Sequence, residues 1–198
     1  RGRSMNIATL MGSPRKNGNT AAVLELFENL LTQNEHEVDR INIVDYKVEG
    51  CLGCQSCQRK VRHEPWCKQN DDTVKIFNRL IAADAVVYAS PLYTYSFPAQ
   101  MKALIDRQNC LVKGNGTPQG TALLKGKRTA LLVTCGGPIE KNADLIQEAF
   151  KRESQYQQMI VVGTYVVAEC TTPDELGDKA RNTAKQMAAD IASNKRAH

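Results

Sequence analysis

Residues 6–20 run Asn-Ile-Ala-Thr-Leu-Met-Gly-Ser-Pro-Arg-Lys-Asn-Gly-Asn-Thr: an apolar stretch ending at Met11, a polar loop from Gly12, then the start of a helical pattern. Strand, loop and helix N-terminus in that order open an α/β protein. The first N–H groups of a helix lack acceptors within it, and the aligned peptide dipoles leave partial positive charge there. A loop that adds Ser13, Asn19 and Thr20 as donors is suited to hold an anion. The alternative is a polar turn whose helix is simply capped by Asn19 or Thr20.

The anion can be narrowed. A triphosphate loop needs Gly-x-x-x-x-Gly-Lys-Ser/Thr, but Asn17 occupies the second glycine position and Gly18-Asn19-Thr20 closes the loop without a lysine. Gly-x-Gly-x-x-Gly, the dinucleotide pattern, is absent as well. A terminal monophosphate fits better.

Outward from this loop, periodicity predicts strands at 6–11, 37–43, 85–90, 129–135 and 159–167. Helices are predicted at 20–33, 73–83, 98–108, 142–153 and 174–192. Ala85-Val86-Val87-Tyr88-Ala89 and Ala130-Leu131-Leu132-Val133 are continuously apolar, as strands covered on both faces are. The alternation implies a three-layer, doubly wound, five-stranded parallel sheet of order 2-1-3-4-5. Ligands of such sheets bind beyond the carboxyl ends of the strands. That order brings the 12–19 loop beside Pro91-Leu92-Tyr93-Thr94-Tyr95-Ser96 and Thr134-Cys135-Gly136-Gly137-Pro138. A phosphate cradle at one end and aromatic, glycine-rich walls at the other suit a flat ring with a phosphate tail. Tyr93 and Tyr95 are candidates to pack on the ring, and Gly136 and Gly137 to let backbone approach its edge.

At 198 residues the chain suits one domain, taken as 5–194, with a core large enough to need no disulfides. The formal net charge is +5, but Arg1, Arg3, Lys195 and Arg196 lie at the extreme ends, and without those four it is +1. Met5 looks like a natural start, so residues 1–4 and about 195–198 are expected to lie outside the fold. No basic stripe interleaved with aromatics remains, which argues against nucleic acid. The longest uncharged stretch, 85–101, carries Ser90, Pro91, Thr94, Ser96 and Pro98, which argues against a membrane span. Seven cysteines, four of them between Cys51 and Cys67, suit a reducing, cytoplasmic setting better than a secreted scaffold.

The sequence resembles the NADPH-dependent FMN reductase and iron-sulfur flavoprotein branch of the flavodoxin-like superfamily over nearly its whole length. The matching residues are Gly12-Ser13-Pro14-Arg15 with Gly18-Asn19-Thr20, Gly50-Cys51-Leu52-Gly53-Cys54 with Cys57 and Cys67, and Asp71-Asp72. Further along they are Ala83-Asp84-Ala85, Ser90-Pro91-Leu92-Tyr93, Lys102-Ala103-Leu104-Ile105-Asp106-Arg107 and Thr134-Cys135-Gly136-Gly137. The resemblance implies FMN, with its phosphate in the loop formed by Ser13, Arg15, Asn17, Gly18, Asn19 and Thr20. The ring would lie among Pro91, Leu92, Tyr93, Thr94, Thr134, Cys135, Gly136 and Gly137. Lys102, Asp106 and Arg107 read equally well as a solvated helix face.

Cys51, Cys54 and Cys57, each pair two residues apart, followed by Cys67, can converge on one inorganic centre, an iron-sulfur cluster or zinc. The resemblance implies [4Fe-4S]. The interval 58–66 is longer than the family's usual gap and contains Pro65-Trp66, and free thiols or a redox pair remain alternatives. His63 is a substitute ligand or a solvated loop residue, and Cys110 and Cys170 look like isolated small hydrophobes. The expected activity is ping-pong hydride transfer from NAD(P)H through FMN to a quinone, nitroaromatic, azo or flavin-type acceptor, with no catalytic side chain required. A relay from ferredoxin-like donors through FMN and a cluster, and a redox sensor built on 51–67, are the competitors. A homodimer or homotetramer is expected, with 114–126 and the cysteine loop as candidate contacts.

Overall fold

The computed structural model describes residues 3–59, 64–114, 117 and 120–193; His63 and part of the 114–126 segment fall outside them. β1 (Asn6–Met11) leads into α1 (Asn19–Gln33), followed by β2 (Glu37–Asn42), α2 (Thr73–Ala82), β3 (Ala85–Pro91) and α3 (Ala99–Arg107). A two-residue antiparallel pair, β4 (Val112–Lys113) and β5 (Thr121–Ala122), precedes β6 (Arg128–Thr134), α4 (Asp144–Tyr156), β7 (Ile160–Val167) and α5 (Gly177–Ala192). The main sheet is parallel throughout, in the order β2-β1-β3-β6-β7. With the small β4–β5 pair set aside, this is the flavodoxin-like order 2-1-3-4-5.

Alternating side chains divide each central strand between two cores, because successive residues of a strand face opposite ways. Ile7 and Met11 of β1, Val87 of β3 and Leu132 of β6 pack against α1 and α5, with Phe27, Leu31, Met187 and Ile191. Leu10, Tyr88, Leu131 and Val133 pack on the other side against α2, α3 and α4, with Phe77, Leu104, Ile146 and Phe150. Each fully buried aliphatic or aromatic side chain contributes about 1.5–3 kcal/mol. Together they explain why 85–89 of β3 and 130–133 of β6 are apolar without interruption.

The ends of the elements differ from the periodic expectation where local hydrogen bonding intervenes. At 172–175, Thr-Pro-Asp-Glu forms a separate capped turn, in which the Glu175 carboxylate accepts from Thr172 N at 3.1 Å, and α5 begins only at Gly177. β2 stops at Asn42 because Ile43–Asp45 is a helical turn rather than strand. The β4–β5 pair has no periodic signal, being only two residues a side.

Gly12 is fixed by packing. Its N–H donates to Ala89 O at 2.8 Å, extending the sheet ladder one step beyond β1. A Cβ at this position would lie 2.7 Å from Met101 Cε and 3.0 Å from Met101 Cβ, so α3 sits against the root of the loop. Gly12→Ala is expected to destabilise the fold by about 1–3 kcal/mol. Thermal unfolding should fall by roughly 2–4 °C per kcal/mol, and an unchanged midpoint would show that Met101 gives way freely.

Candidate functional site

The carboxyl ends of β1, β3 and β6 open on one cleft of about 230 Å³. Its walls are Ser13, Arg15, Gly18, Asn19 and Thr20 from the first loop, Pro91, Leu92 and Tyr93 after β3, Thr134, Cys135 and Gly136 after β6, and Cys170 with Thr171 after β7. The capped-turn alternative is not met. Gly18 occupies the N-cap of α1, no side chain caps the helix, and no acidic residue stands in its first turn. Asn19 and Thr20 are turned elsewhere: Asn19 Nδ2 donates to Cys170 O at 3.1 Å, and the Thr20 and Thr134 hydroxyls share a hydrogen bond at 2.7 Å. The helix terminus keeps its partial positive charge facing the cleft.

Ser13 Oγ accepts from Arg15 N at 3.1 Å and donates to Arg15 O at 3.2 Å, which shapes the loop before any ligand arrives. The Lys16 ammonium is paired with Asp45, leaving Arg15 as the loop cation that lines the cleft. Asn19 Oδ1 is buried without a hydrogen-bond partner. A phosphate-ester dianion has no donor for it, whereas a sugar-alcohol chain carries hydroxyls. Burial pushes the Cys135 and Cys170 thiols up, so both remain protonated near neutrality and add no negative charge beside an anion.

Tyr93 is held by a strained turn. Tyr93 N and Ser96 O, and Ser96 N and Tyr93 O, pair at 3.0 Å each, while Thr94 and Tyr95 adopt φ of 48° and 64°. Two consecutive left-handed residues make the tight turn that suits a hairpin, at a conformational cost of about 1–2 kcal/mol per non-glycine residue. The turn leaves Tyr93 39% exposed at the cleft. Tyr95, Thr94, Asn17 and Gly137 do not line it. Gly137 instead uses its carbonyl, which accepts from Glu169 N at 3.2 Å and from Cys135 Sγ at 3.3 Å, to fasten the β6 loop to the β7 loop. Cys170 and Thr171 are wall residues that sequence reasoning did not find. Only the β6–β7 pairing brings them in.

Cys51, Cys54, Cys57 and Cys67 line a second, smaller cavity of about 30 Å³, together with Arg107, Asn109 and Cys110. Cys110 is therefore not isolated, nor is Arg107 part of a solvated face, although Lys102 and Asp106 are exposed and paired with each other. Gln58 Nε2 donates to Asn109 O at 2.7 Å and to Val112 O at 2.9 Å, pinning the cysteine loop to the turn after α3. Among the described residues no group of three His, Cys, Asp or Glu side chains is arranged to hold a metal ion. The donor set has the right chemistry for a thiolate-ligated centre.

Residues 5–173 match the NADPH-dependent FMN reductase family, and the chain belongs to it. It is an NAD(P)H-dependent FMN oxidoreductase with a flavodoxin-like fold. The chain is 31% identical to an iron-sulfur flavoprotein of Archaeoglobus fulgidus over 191 residues, covering 95% of this chain and 79% of that protein. Among solved structures it is similar to an NAD(P)H:quinone oxidoreductase from Methanothermobacter marburgensis, with TM-score 0.74, 17% identity and 99% of each chain covered. It is also similar to an FMN-dependent NADH-azoreductase from Bacillus anthracis, with TM-score 0.67, 15% identity, and 95% of this chain and 100% of that one covered. At such identities the structural likeness speaks for the fold. No helix among the described residues is long and apolar enough to cross a membrane.

The cysteines should differ sharply in reactivity, because the thiolate is the nucleophile. Hydrogen bonds from the Ser56 side chain and backbone lower the Cys54 thiol, whereas burial pushes Cys110 up to about 12. Iodoacetamide near neutral pH should alkylate Cys54 early and Cys110 only on unfolding, as mapped by mass spectrometry. Equal rates at the two positions would contradict this placement.

Proposed function

We propose that the protein oxidises NAD(P)H and reduces a quinone, nitroaromatic, azo or flavin-type acceptor in a ping-pong cycle, the two substrates taking turns at one open face of the cleft. For a quinone, NAD(P)H and a proton give NAD(P)⁺ and a hydroquinone: a hydride leaves the nicotinamide, and the acceptor gains two electrons and two protons. Bound FMN supplies the hydride acceptance and donation that links the two halves. The observation that carries this reading is the uncapped N-terminus of α1, with Arg15 beside it and the unpartnered Asn19 Oδ1 within the same cradle.

The chain's own residues bind and orient. Arg15 and the first N–H groups of α1 neutralise the phosphate dianion, Thr20 adds a hydroxyl already aligned by Thr134, and Asn19 Oδ1 accepts from the sugar-alcohol chain. Pro91, Leu92 and the Tyr93 ring form the apolar support for a flat ring system, while Thr134 to Gly136 present backbone to its edge. Backbone donors there would stabilise negative charge developing on a reduced ring. No acid–base side chain is needed.

A second reading has a specific observation in its favour. Four cysteines around one cavity support an iron-sulfur flavoprotein that relays electrons from a ferredoxin-like donor through FMN and a cluster. Partners would then be redox proteins rather than small acceptors; neither nucleic acid nor membrane enters either reading. We take the assembly to be a homodimer or homotetramer that completes the solvent side of the cleft, where Tyr93 lies exposed.

Steady-state oxidation of NADPH and NADH with a soluble quinone discriminates the two. Turnover supports the reductase, and its absence with every acceptor alongside rapid reduction by ferredoxin favours the relay. The double substitution Arg15→Ala/Thr20→Ala removes one charged hydrogen bond, worth about 1.5–3 kcal/mol, and one neutral bond of about 1 kcal/mol. FMN affinity, read from flavin fluorescence quenching, should weaken roughly 100-fold; retained affinity would remove the phosphate cradle from this loop.

A further inference from the structure

Arg107 is the largest of the fully buried side chains, 2% exposed although charged. Nη1 donates to Asp71 Oδ2 and to Glu49 O, each at 2.8 Å, and Nη2 donates to Asp71 Oδ1 at 3.2 Å. The Asp71 carboxylate is further satisfied by Glu49 N at 3.0 Å and Thr73 N at 3.1 Å. On the guanidinium, Nε is buried with no hydrogen-bond partner of its own, while the Cys67 thiol already lies beside the cation and interacts with it. Arg107 lines the cysteine cavity, and Asp71 does not.

The pair is thus oriented, with its carboxylate capped by backbone and its cation turned to the sulfurs. A buried ion pair is a poor device for stability alone, because desolvation offsets most of the Coulombic gain. A buried donor left without an acceptor adds to that cost. Both costs are understandable if the cavity takes a negative occupant. Metal binding strips the protons from cysteine thiols, and four thiolates outnumber the charge of a dipositive ion, leaving the centre net negative.

We propose that Arg107 is the charge-compensating residue of a metal centre assembled on Cys51, Cys54, Cys57 and Cys67, donating its free Nε–H to sulfur in that cavity. The inference rests on reading the cysteine cavity as a metal site. Arg107 ligates nothing. It positions and neutralises, and Asp71 holds it facing inward.

Cobalt(II) is a probe that does not depend on turnover or on cluster assembly. Thiolate-to-cobalt absorption is titrated under anaerobic conditions in the wild type, in Arg107→Lys, and in Asp71→Asn/Arg107→Gln, which removes both charges and leaves no buried carboxylate unpaired. Thermal unfolding and FMN retention of the metal-free proteins check the fold of each. Cobalt affinity should fall about 10-fold or more in the double variant, the scale of one charged hydrogen bond. Arg107→Lys, which keeps the charge and loses the planar fork, should be intermediate. In protein reconstituted with iron and sulfide, the midpoint potential should shift to more negative values in the same order, because less positive charge faces the centre. If the wild type takes up neither cobalt nor iron, the cavity is not a metal site and the underlying reading fails. If it takes up metal and both variants match it in affinity and potential, the role given to Arg107 fails alone. Should the double variant not fold, Arg107→Lys carries the comparison.

Discussion

The parallel pairing of β1 with β3, from Ile7 opposite Ala85 to Met11 opposite Ala89, and of β3 with β6, from Ala85 opposite Arg128 to Pro91 opposite Thr134, is the constraint on which everything else depends. Parallel strands place all their carboxyl ends along one edge and need a crossover between them, here a helix each time. The ladder does not stop at the sheet. Gly12 N donates to Ala89 O and Leu92 N to Thr134 O at 2.8 and 2.9 Å, so the loops of the cleft begin as its continuation. The roots of these loops are therefore fixed by the same ladder as the strands, and Ser13, Thr134 and Cys135 are buried with them.

The two cavities along this part of the molecule handle charge in opposite ways. In the cleft, an uncapped helix terminus and Arg15 are left partly exposed, and the neighbouring Cys135 and Cys170 thiols are kept neutral by burial. That arrangement leaves positive charge at the cleft without a deeply buried cation. Behind the cysteine loop a full guanidinium is buried, held by a carboxylate that the same guanidinium and two backbone N–H groups keep at a pKa of about 2 despite desolvation. The Asp71 charge persists across any ordinary pH, and the orientation of Arg107 persists with it.

Local signals account for what could be read without coordinates. The strand-loop-helix unit at 6–20 is legible because a polar loop between an apolar run and a helical pattern marks a helix N-terminus, and the unbroken apolar runs of β3 and β6 follow from the covering of both faces. Thr172 and Glu175 carry a visible capping signature, but it marks a separate turn, and a periodic pattern alone cannot tell a turn's end from the beginning of α5. The β4–β5 pair left no trace for the same reason: two residues a side are too few to show a period.

The sequence by itself determined the α/β alternation, the polar loop with Ser13, Arg15, Asn19 and Thr20 at a helix N-terminus, and the crowding of Cys51, Cys54, Cys57 and Cys67. Each of those is a property of residues close together in the chain. Only the tertiary structure decided that Cys170 and Thr171 complete the cleft, that Tyr95 and Gly137 stand outside it, and that Cys110 and Arg107 belong to the cysteine cavity. Arg107 and Asp71 are 36 residues apart, and Asn19 and Cys170 are 151 apart. Arg107, five residues from the exposed Lys102 on the same helix, is solvated or buried according to what packs over it, and that is settled by the sheet order rather than by the helix.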